Sequence, residues 1–362
     1  MADYPNRQRA LLEAIGEQAY LAVSHEGSDA ATIRYLTGFT GEGAFLLTKD
    51  EAVLLTDSRY TEQAKREIDG VSIVEDRKWR SKATADAITA RGLERVVFPS
   101  TRVSFHWVEE MRKHGGFTLI PEQDPVSLLR RTKSVEELAC LKRAAAIGDE
   151  AFKTLLPELR IGMSEAQAAL RLEVLIRETD AEGLAFPVNA SAGANTALNH
   201  YNPSLDPKLL EEGDLLLFDF GVCYGGYRSD MTRTVSVGAA LPQATEIYDV
   251  VLRANVAAID AVRAGKVASE IDAVARNLIA EAGYGDYFGH GLGHGIGLEV
   301  HEAPGLSPQI SDALEAGMVV TIEPGVYLPA FGGVRIEDDV VVGPNGCDVI
   351  TSFPKDTLIE VG

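Results

Sequence analysis

Acidic residues at the ends of apolar runs are the first sign of chemistry in this chain. In LLLFDFGVCYGGYRSDMTRT, Asp219 closes an apolar run and Asp230 opens the next polar–apolar alternation. Gly225 and Gly226 lie between them and predict a hairpin. With the turn centred on Tyr224 and Gly225, Asp219 falls opposite Asp230 on one side of a sheet. Two carboxylates side by side repel unless a cation sits between them. The competing reading, a hairpin with two solvated acids, leaves an acid at the end of LLLFDF unexplained.

The segment FGHGLGHGIGLEVHEAP holds His290, His294 and His301, three of the chain's seven histidines. Five glycines from Gly289 to Gly297 would let its backbone approach a ligand closely. Neutral imidazole is a common ligand for divalent transition metals. In TIEPGVY, Glu323 ends an apolar strand that Pro324 and Gly325 stop. In GVRIEDD, Arg335 and Glu337 are two apart in a strand pattern, so both point to one face and Ile336 to the other. An arginine beside a carboxylate cluster can orient a ligand and offset charge. Taken alone, this pair reads as a surface ion couple.

Asp219, Asp230, Glu323 and Glu337 bring one negative charge each, and His294 is neutral. Two divalent cations balance the carboxylates, and a bridging hydroxide adds one further negative charge. Oxygen-rich ligation with a single imidazole suits Mn²⁺, and less specifically Co²⁺ or Zn²⁺. Metals paired at roughly 3.5–4 Å lower the pKa of bound water and clamp both oxygens of a tetrahedral intermediate. The pattern therefore points to hydrolysis.

These residues need elements to position them. The 362 residues suggest two domains. Residues 1–128 read as an α/β domain, with a polar helix over about 5–18, strands in YLAVS, GAFLLT, AVLLT and RVVFPS, and helical pattern in TEQAKREI and SKATADAITARGL. Pro121–Lys133 reads as a linker, and the second domain as 134–362. Ser134 with Glu137 and Ser164 with Gln167 predict capping boxes at the starts of two helices. Pro242 opens another helix to about Arg263, and Ser269 with Asp272 is expected to cap the next. Strands are expected in LLLFDF, MTRTVSV, MVVTIEP and GVRIEDDVVV.

Composition narrows the function classes. A net charge of −20 leaves no basic stripe for nucleic acid. No stretch has the ~18 apolar residues of a membrane span. The polar N-terminus has no apolar h-region, so a cytoplasmic protein is expected. Cys140, Cys223 and Cys347 have no metal-type spacing and read as free thiols.

The ordered series DFG…SDMTRT, HGLGHGIGLEVHE, IEPG and RIED resembles the pita-bread metallopeptidases, the group of methionine aminopeptidase, prolidase, aminopeptidase P and creatinase. The resemblance covers the chain from about Ser134 onward. It implies a pita-bread α+β catalytic domain and two divalent metal ions on Asp219, Asp230, His294, Glu323 and Glu337. Glu323 would also carry a proton between the bridging hydroxide and the leaving nitrogen. His200, His290 and His301 match substrate-side histidines, and Arg335 matches an arginine that orients a metal-bound carboxylate. The stretch IRYLTGFTGEGAFLLT…LLTDSRYTEQA is similar to the creatinase-like N-terminal α/β domain of the proline-specific branch, which implies Xaa-Pro cleavage and a homodimer. Within that branch the expectation is an Xaa-Pro dipeptidase acting on a small peptide with proline second. The alternatives are aminopeptidase P on longer peptides, and a non-peptidase hydrolase or binding module on the same scaffold. Arg228 departs from the pattern, where similar chains often carry a smaller residue, and could narrow the pocket or anchor a substrate carboxylate.

Overall fold

Ala19–Ser24 reads AYLAVS, and every residue in it is buried. An apolar strand without alternation needs cover on both faces, and this decides the first unit. In the computed structural model, which describes residues 3–24, 30–76, 80–199 and 201–362, the chain forms two compact units that meet in sequence at Arg130 and Arg131. In the first, six strands run in the order Ser72–Glu75, Ala52–Thr56, Gly43–Leu47, Ala19–Ser24, Arg95–Pro99, Thr118–Glu122. Ala19, Leu21 and Val23 share a core with Ile88 of helix Arg80–Ala90 and Met111 of helix Phe105–Arg112. Tyr20 and Ala22 point to the opposite face, where helix Ala30–Thr37 packs against the strand.

The expected linker is not a linker. Thr118–Glu122 is the edge strand, and Pro125–Arg130 is a helix. Asp124 accepts the Ser127 N–H at 3.1 Å, and Pro125 occupies a first helical position, where its missing N–H costs nothing. Proline here starts structure instead of interrupting it. The N-terminal helix is also shorter than expected, Tyr4–Ala14, with Asp3 accepting from the Asn6 N–H.

The second unit has two layers of similar plan. Helices Val135–Leu155 and Glu165–Arg177 share a core with a sheet ordered Glu360–Val361, Met231–Val237, Leu215–Phe220, Asn189–Ala192. Helices Pro242–Ala261 and Ala268–Glu281 share another with a sheet ordered Glu302–Leu306, Gly293–Gly295, Val319–Ile322, Asp338–Val342, Cys347–Val349. Both predicted capping boxes form, at Ser134 with Glu137 and at Ser164 with Gln167. The Ser269–Asp272 cap does not. That helix begins after Val267 without a side-chain cap, because Asp272 is committed to Arg276, at 2.7 and 2.8 Å, and to the Leu292 N–H.

The hairpin between Asp219 and Asp230 also differs in register. Tyr224 pairs with Tyr227 and Cys223 with Arg228, so the turn is Gly225-Gly226. Their φ angles of 59° and 82° are the left-handed pair that a tight two-residue hairpin turn requires. Asp219 therefore faces Thr232, not Asp230. The slip is two residues, so Asp230 stays on the face of Asp219. The expected strand GVRIEDDVVV is split into Gly332–Arg335 and Asp338–Val342, which pair with different partners.

A buried ion pair joins the two sheets. Arg233, 2% exposed, donates to Asp338 Oδ1 at 2.7 Å and to the Phe353 and Glu337 carbonyls. Lys355 reaches the other Asp338 oxygen at 2.5 Å. Removing Arg233 would leave Asp338 with Lys355 alone and take a donor from the buried Phe353 and Glu337 carbonyls. Arg233→Met should lower the unfolding free energy by roughly 1–3 kcal/mol in urea titrations; no measurable loss would show that the network does not depend on this guanidinium.

Candidate functional site

The hairpin and the split strand bring their charges to one point, the hydroxyl of Thr232. It donates to Glu337 Oε2 at 2.6 Å and accepts from Arg335 Nε at 2.9 Å. The Glu337 N–H returns to the Thr232 carbonyl at 3.1 Å. Arg335 and Glu337 thus share a face although no single strand carries them, and Ile336 is fully buried in the core behind. Arg335 also reaches Asp219 Oδ2 at 2.5 Å and the Tyr327 hydroxyl at 3.0 Å.

Asp230 sits just before its strand, 4% exposed. Its N–H donates to Asp339 Oδ2 at 2.9 Å, and its own Oδ1 has no hydrogen-bond partner. Glu323 is fixed by its N–H to the Leu292 carbonyl and by a 3.3 Å contact from Thr321 Oγ1. The same Thr321 hydroxyl accepts the His294 N–H at 3.1 Å. The glycines before and after His294 serve this packing. A Cβ on Gly293 would lie 2.0 Å from the Thr321 carbonyl oxygen, so the close approach is to the neighbouring strand.

His294 Nδ1 lies 3.0 Å from the Gly295 carbonyl, an acceptor, so Nδ1 carries the proton and Nε2 presents its lone pair. Nε2 faces Glu323 Oε1 at 3.4 Å and Asp230 Oδ2 at 3.8 Å. A lone pair among carboxylate oxygens, and an orphaned buried oxygen on Asp230, fit a cation. The ligand atoms of Asp230, His294 and Glu337 lie within 4.8 Å of one another. With Asp219 and Glu323 they line one cavity of about 520 Å³, together with Arg335, His290 and His301.

Burial sets the electrostatics. It pushes Asp230 and Glu337 well above the usual carboxylate range, and neighbouring carboxylates push them further. Glu323 is raised to about 8 by burial, against the pull of Arg335. Desolvation drops His290 and His294 to about 4, so both imidazoles are neutral at pH 7. Carboxylates that resist ionisation beside neutral imidazoles are a site short of positive charge.

The remaining predicted residues divide. His290 has both ring nitrogens engaged, Nδ1 with the Gly291 carbonyl at 2.7 Å and Nε2 with the Tyr327 hydroxyl at 2.9 Å. His301 is exposed at the cavity wall, its ring 4.4 Å from that of His294. His200 lies outside the described residues. Arg228 does not line the cavity: its guanidinium bonds the Leu298 and Gly226 carbonyls, and its N–H the Gly297 carbonyl, tying the hairpin to the loop before His301.

Sequence reasoning missed Phe186, Asn199 and Val300 on the wall, and Asp339 behind it. Asp339 was visible as the last letter of RIEDD. Its pairing opposite Thr321 was not. Phe186 and Val300 carry no motif of their own.

Asp230, His294 and Glu337 form a group that could hold a metal ion, in a chain of two compact units. Residues 139–344 match the family model for metallopeptidase family M24, and residues 6–132 match the creatinase/prolidase N-terminal domain. The chain is 35% identical over 330 residues to an Xaa-Pro dipeptidase of Pyrococcus horikoshii, covering 90% of this chain and 92% of that one. It superposes on a structure described as an Xaa-Pro dipeptidase from Bacillus anthracis with a TM-score of 0.94 and 37% identity, covering 99% and 100% of the two chains. A structure described as an X-Pro aminopeptidase from Thermotoga maritima matches with a TM-score of 0.90 and 35% identity, covering 97% and 99%. The chain belongs to metallopeptidase family M24, with a creatinase-type N-terminal domain preceding a pita-bread domain. It is a peptidase of a family that uses divalent metal ions.

The neutral state of His290 can be tested apart from activity. Its folded-state pKa of about 4 lies below the ordinary 6.5, so protons favour the unfolded chain as pH falls through that interval. The wild type should lose up to ~1.4 kcal/mol per pH unit more than His290→Asn between those values. Urea titrations of both at neutral and mildly acidic pH measure it; parallel losses would show that His290 is protonated in the folded state.

Proposed function

We infer that the chain hydrolyses Xaa-Pro peptide bonds with two divalent metal ions held by Asp219, Asp230, His294, Glu323 and Glu337. The observation that carries this is the convergence of all five side chains on one cavity of about 520 Å³, a size suited to a small ligand. When bound, the metal pair supplies a water of lowered pKa and a clamp on the reacting oxygens. Mn²⁺ is the proposed ion, by the oxygen-rich donor set.

The chain's own groups do the rest. Glu323 is the proposed proton carrier to the leaving nitrogen, its carboxylate on the cavity beside His294. Arg335 holds Asp219 and, through Thr232, Glu337 at fixed separation. His301, on the wall, is the proposed donor to the scissile carbonyl, and His200 is proposed for the same work. His290, bonded at both nitrogens, steadies Tyr327 against Arg335. Phe186 and Val300 offer apolar surface to a proline ring, which brings no N–H and asks for no acceptor. The same reading assigns residues 1–128 to the N-terminal domain, 134–362 to catalysis, and the cytoplasm and a homodimer as its setting.

Dipeptidase activity is the preferred form, supported by the relatives described as Xaa-Pro dipeptidases. One observation favours the aminopeptidase reading. A dipeptidase must grip a free carboxylate, and Arg335, the one Lys or Arg among the described cavity residues, is already on Asp219.

Chelation should abolish activity and lower the melting temperature, and Mn²⁺ should restore both, because empty carboxylates repel and binding favours the folded form. Asp230→Asn and Glu337→Gln should fold yet fail to gain this thermal shift; a wild-type shift in either variant removes that residue from the ligand set.

Specificity is tested with dipeptides and a tripeptide. Ala-Pro should be cleaved in Mn²⁺ with little turnover of Ala-Ala. Equal rates on the two would end the proline assignment and leave the peptidase standing. Cleavage of Ala-Pro-Ala in preference to Ala-Pro would select the aminopeptidase form.

A further inference from the structure

Glu165 is fully buried at the first turn of its helix, away from the cavity. Among the described residues no lysine or arginine side chain pairs with it. Every group that touches its carboxylate is a hydrogen-bond donor or can act as one. Oε1 accepts the Ala192 N–H at 2.6 Å and the Asn195 amide at 3.0 Å. Oε2 accepts the Lys208 N–H at 2.7 Å and lies 2.7 Å from the Tyr201 hydroxyl, which is equally close to the Asp206 carbonyl. The Glu165 N–H in turn donates to the Lys208 carbonyl. The carboxylate raises the Tyr201 pKa above its usual value, second to burial.

These partners are spread from residue 192 to residue 208, so one side chain gathers both ends and the middle of that segment. Two parts of the segment bear on the site. Asn199 lines the cavity, with a buried Oδ1 that has no partner among the described residues. Thr196 accepts the Gly333 N–H at 2.6 Å, on the strand that leads to Arg335.

The structure assigns Glu165 as the positioning residue of the peptidase site: its carboxylate holds the 192–208 segment, and so keeps Asn199 on the cavity wall and Thr196 against the Arg335 strand. This rests on the peptidase reading above. Only a carboxylate suffices. A glutamine would set its NH₂ against a backbone N–H in either orientation, that of Ala192 or that of Lys208.

The test is Glu165→Gln in the full chain, read first by amide hydrogen exchange. Exchange should quicken in the 192–208 segment while the helix Pro242–Ala261 keeps its protection. With metal content equal to wild type, kcat/KM on Ala-Pro should fall by roughly 10–100-fold, as for a misplaced substrate contact. Unchanged exchange in the segment overturns the assignment, and so does faster exchange with wild-type kcat/KM. Loss of metal overturns it too, by making Glu165 part of the metal site's support. If the wild type itself cleaves neither Ala-Pro nor Ala-Pro-Ala, the Xaa-Pro reading falls, and exchange alone decides the tether. Should Glu165→Gln not fold, Tyr201→Phe leaves the carboxylate and removes one donor; the same two readouts should move in the same direction by less.

Discussion

Asp219, Asp230, Glu323 and Glu337 share one cavity, and burial holds three of them above the usual carboxylate range. That conflict organises the surrounding structure. Arg335 sits with three of its nitrogens engaged, so that a permanent charge stands against the cluster in one orientation. Backbone N–H groups of Asp230 and Glu323 are spent on neighbouring elements, which fixes where their carboxylates project. The histidine that faces them is held as a neutral donor of electrons by its own carbonyl contact. Folding has gathered acidic groups where positive charge is short, which suits a cation.

The two halves of the second unit each lay a helix pair on a sheet, and the cavity takes residues from both. No one element could supply the donors. Asp219 comes from a strand, Asp230 from the residue before one, His294 from a short glycine-flanked strand, and Glu337 from a break between two strands. Irregular backbone is concentrated where side chains must converge from several directions. The buried Arg233–Asp338 pair crosses between the sheets one residue from Thr232 and one from Glu337, so the seam is pinned beside the site.

Much of this was legible because it is local. Capping boxes lie within three residues, and Ser134 and Ser164 behave as their spacing says. The face shared by Asp219 and Asp230 survived a wrong turn assignment because the error was even. What escaped notice depends on distant contacts. Asp272 looked like a cap until Arg276 and Leu292 claimed it. RIEDD read as continuous strand, yet Arg335 pairs back to Gly325 while Asp338 pairs across to Ile322. Glycines at 293 and 295 suggested room for a ligand, whereas the neighbouring strands, at Thr321 and at Glu302 and Ala303, fill that room. Phe186 and Asn199 reach the cavity only through the tertiary path of their segments.

The Gly225-Gly226 turn works as a ruler with a coarse scale. Along a strand, direction alternates with every residue. With strands that follow the turn rigidly, one added residue would turn Asp230 to the opposite face and bring Ser229 to its place. Lengthening the loop by two would restore the side and merely slide the carboxylate along. Indels in this hairpin are therefore filtered by parity, and an odd one must be absorbed by a bulge or a longer loop to keep both acids on one face.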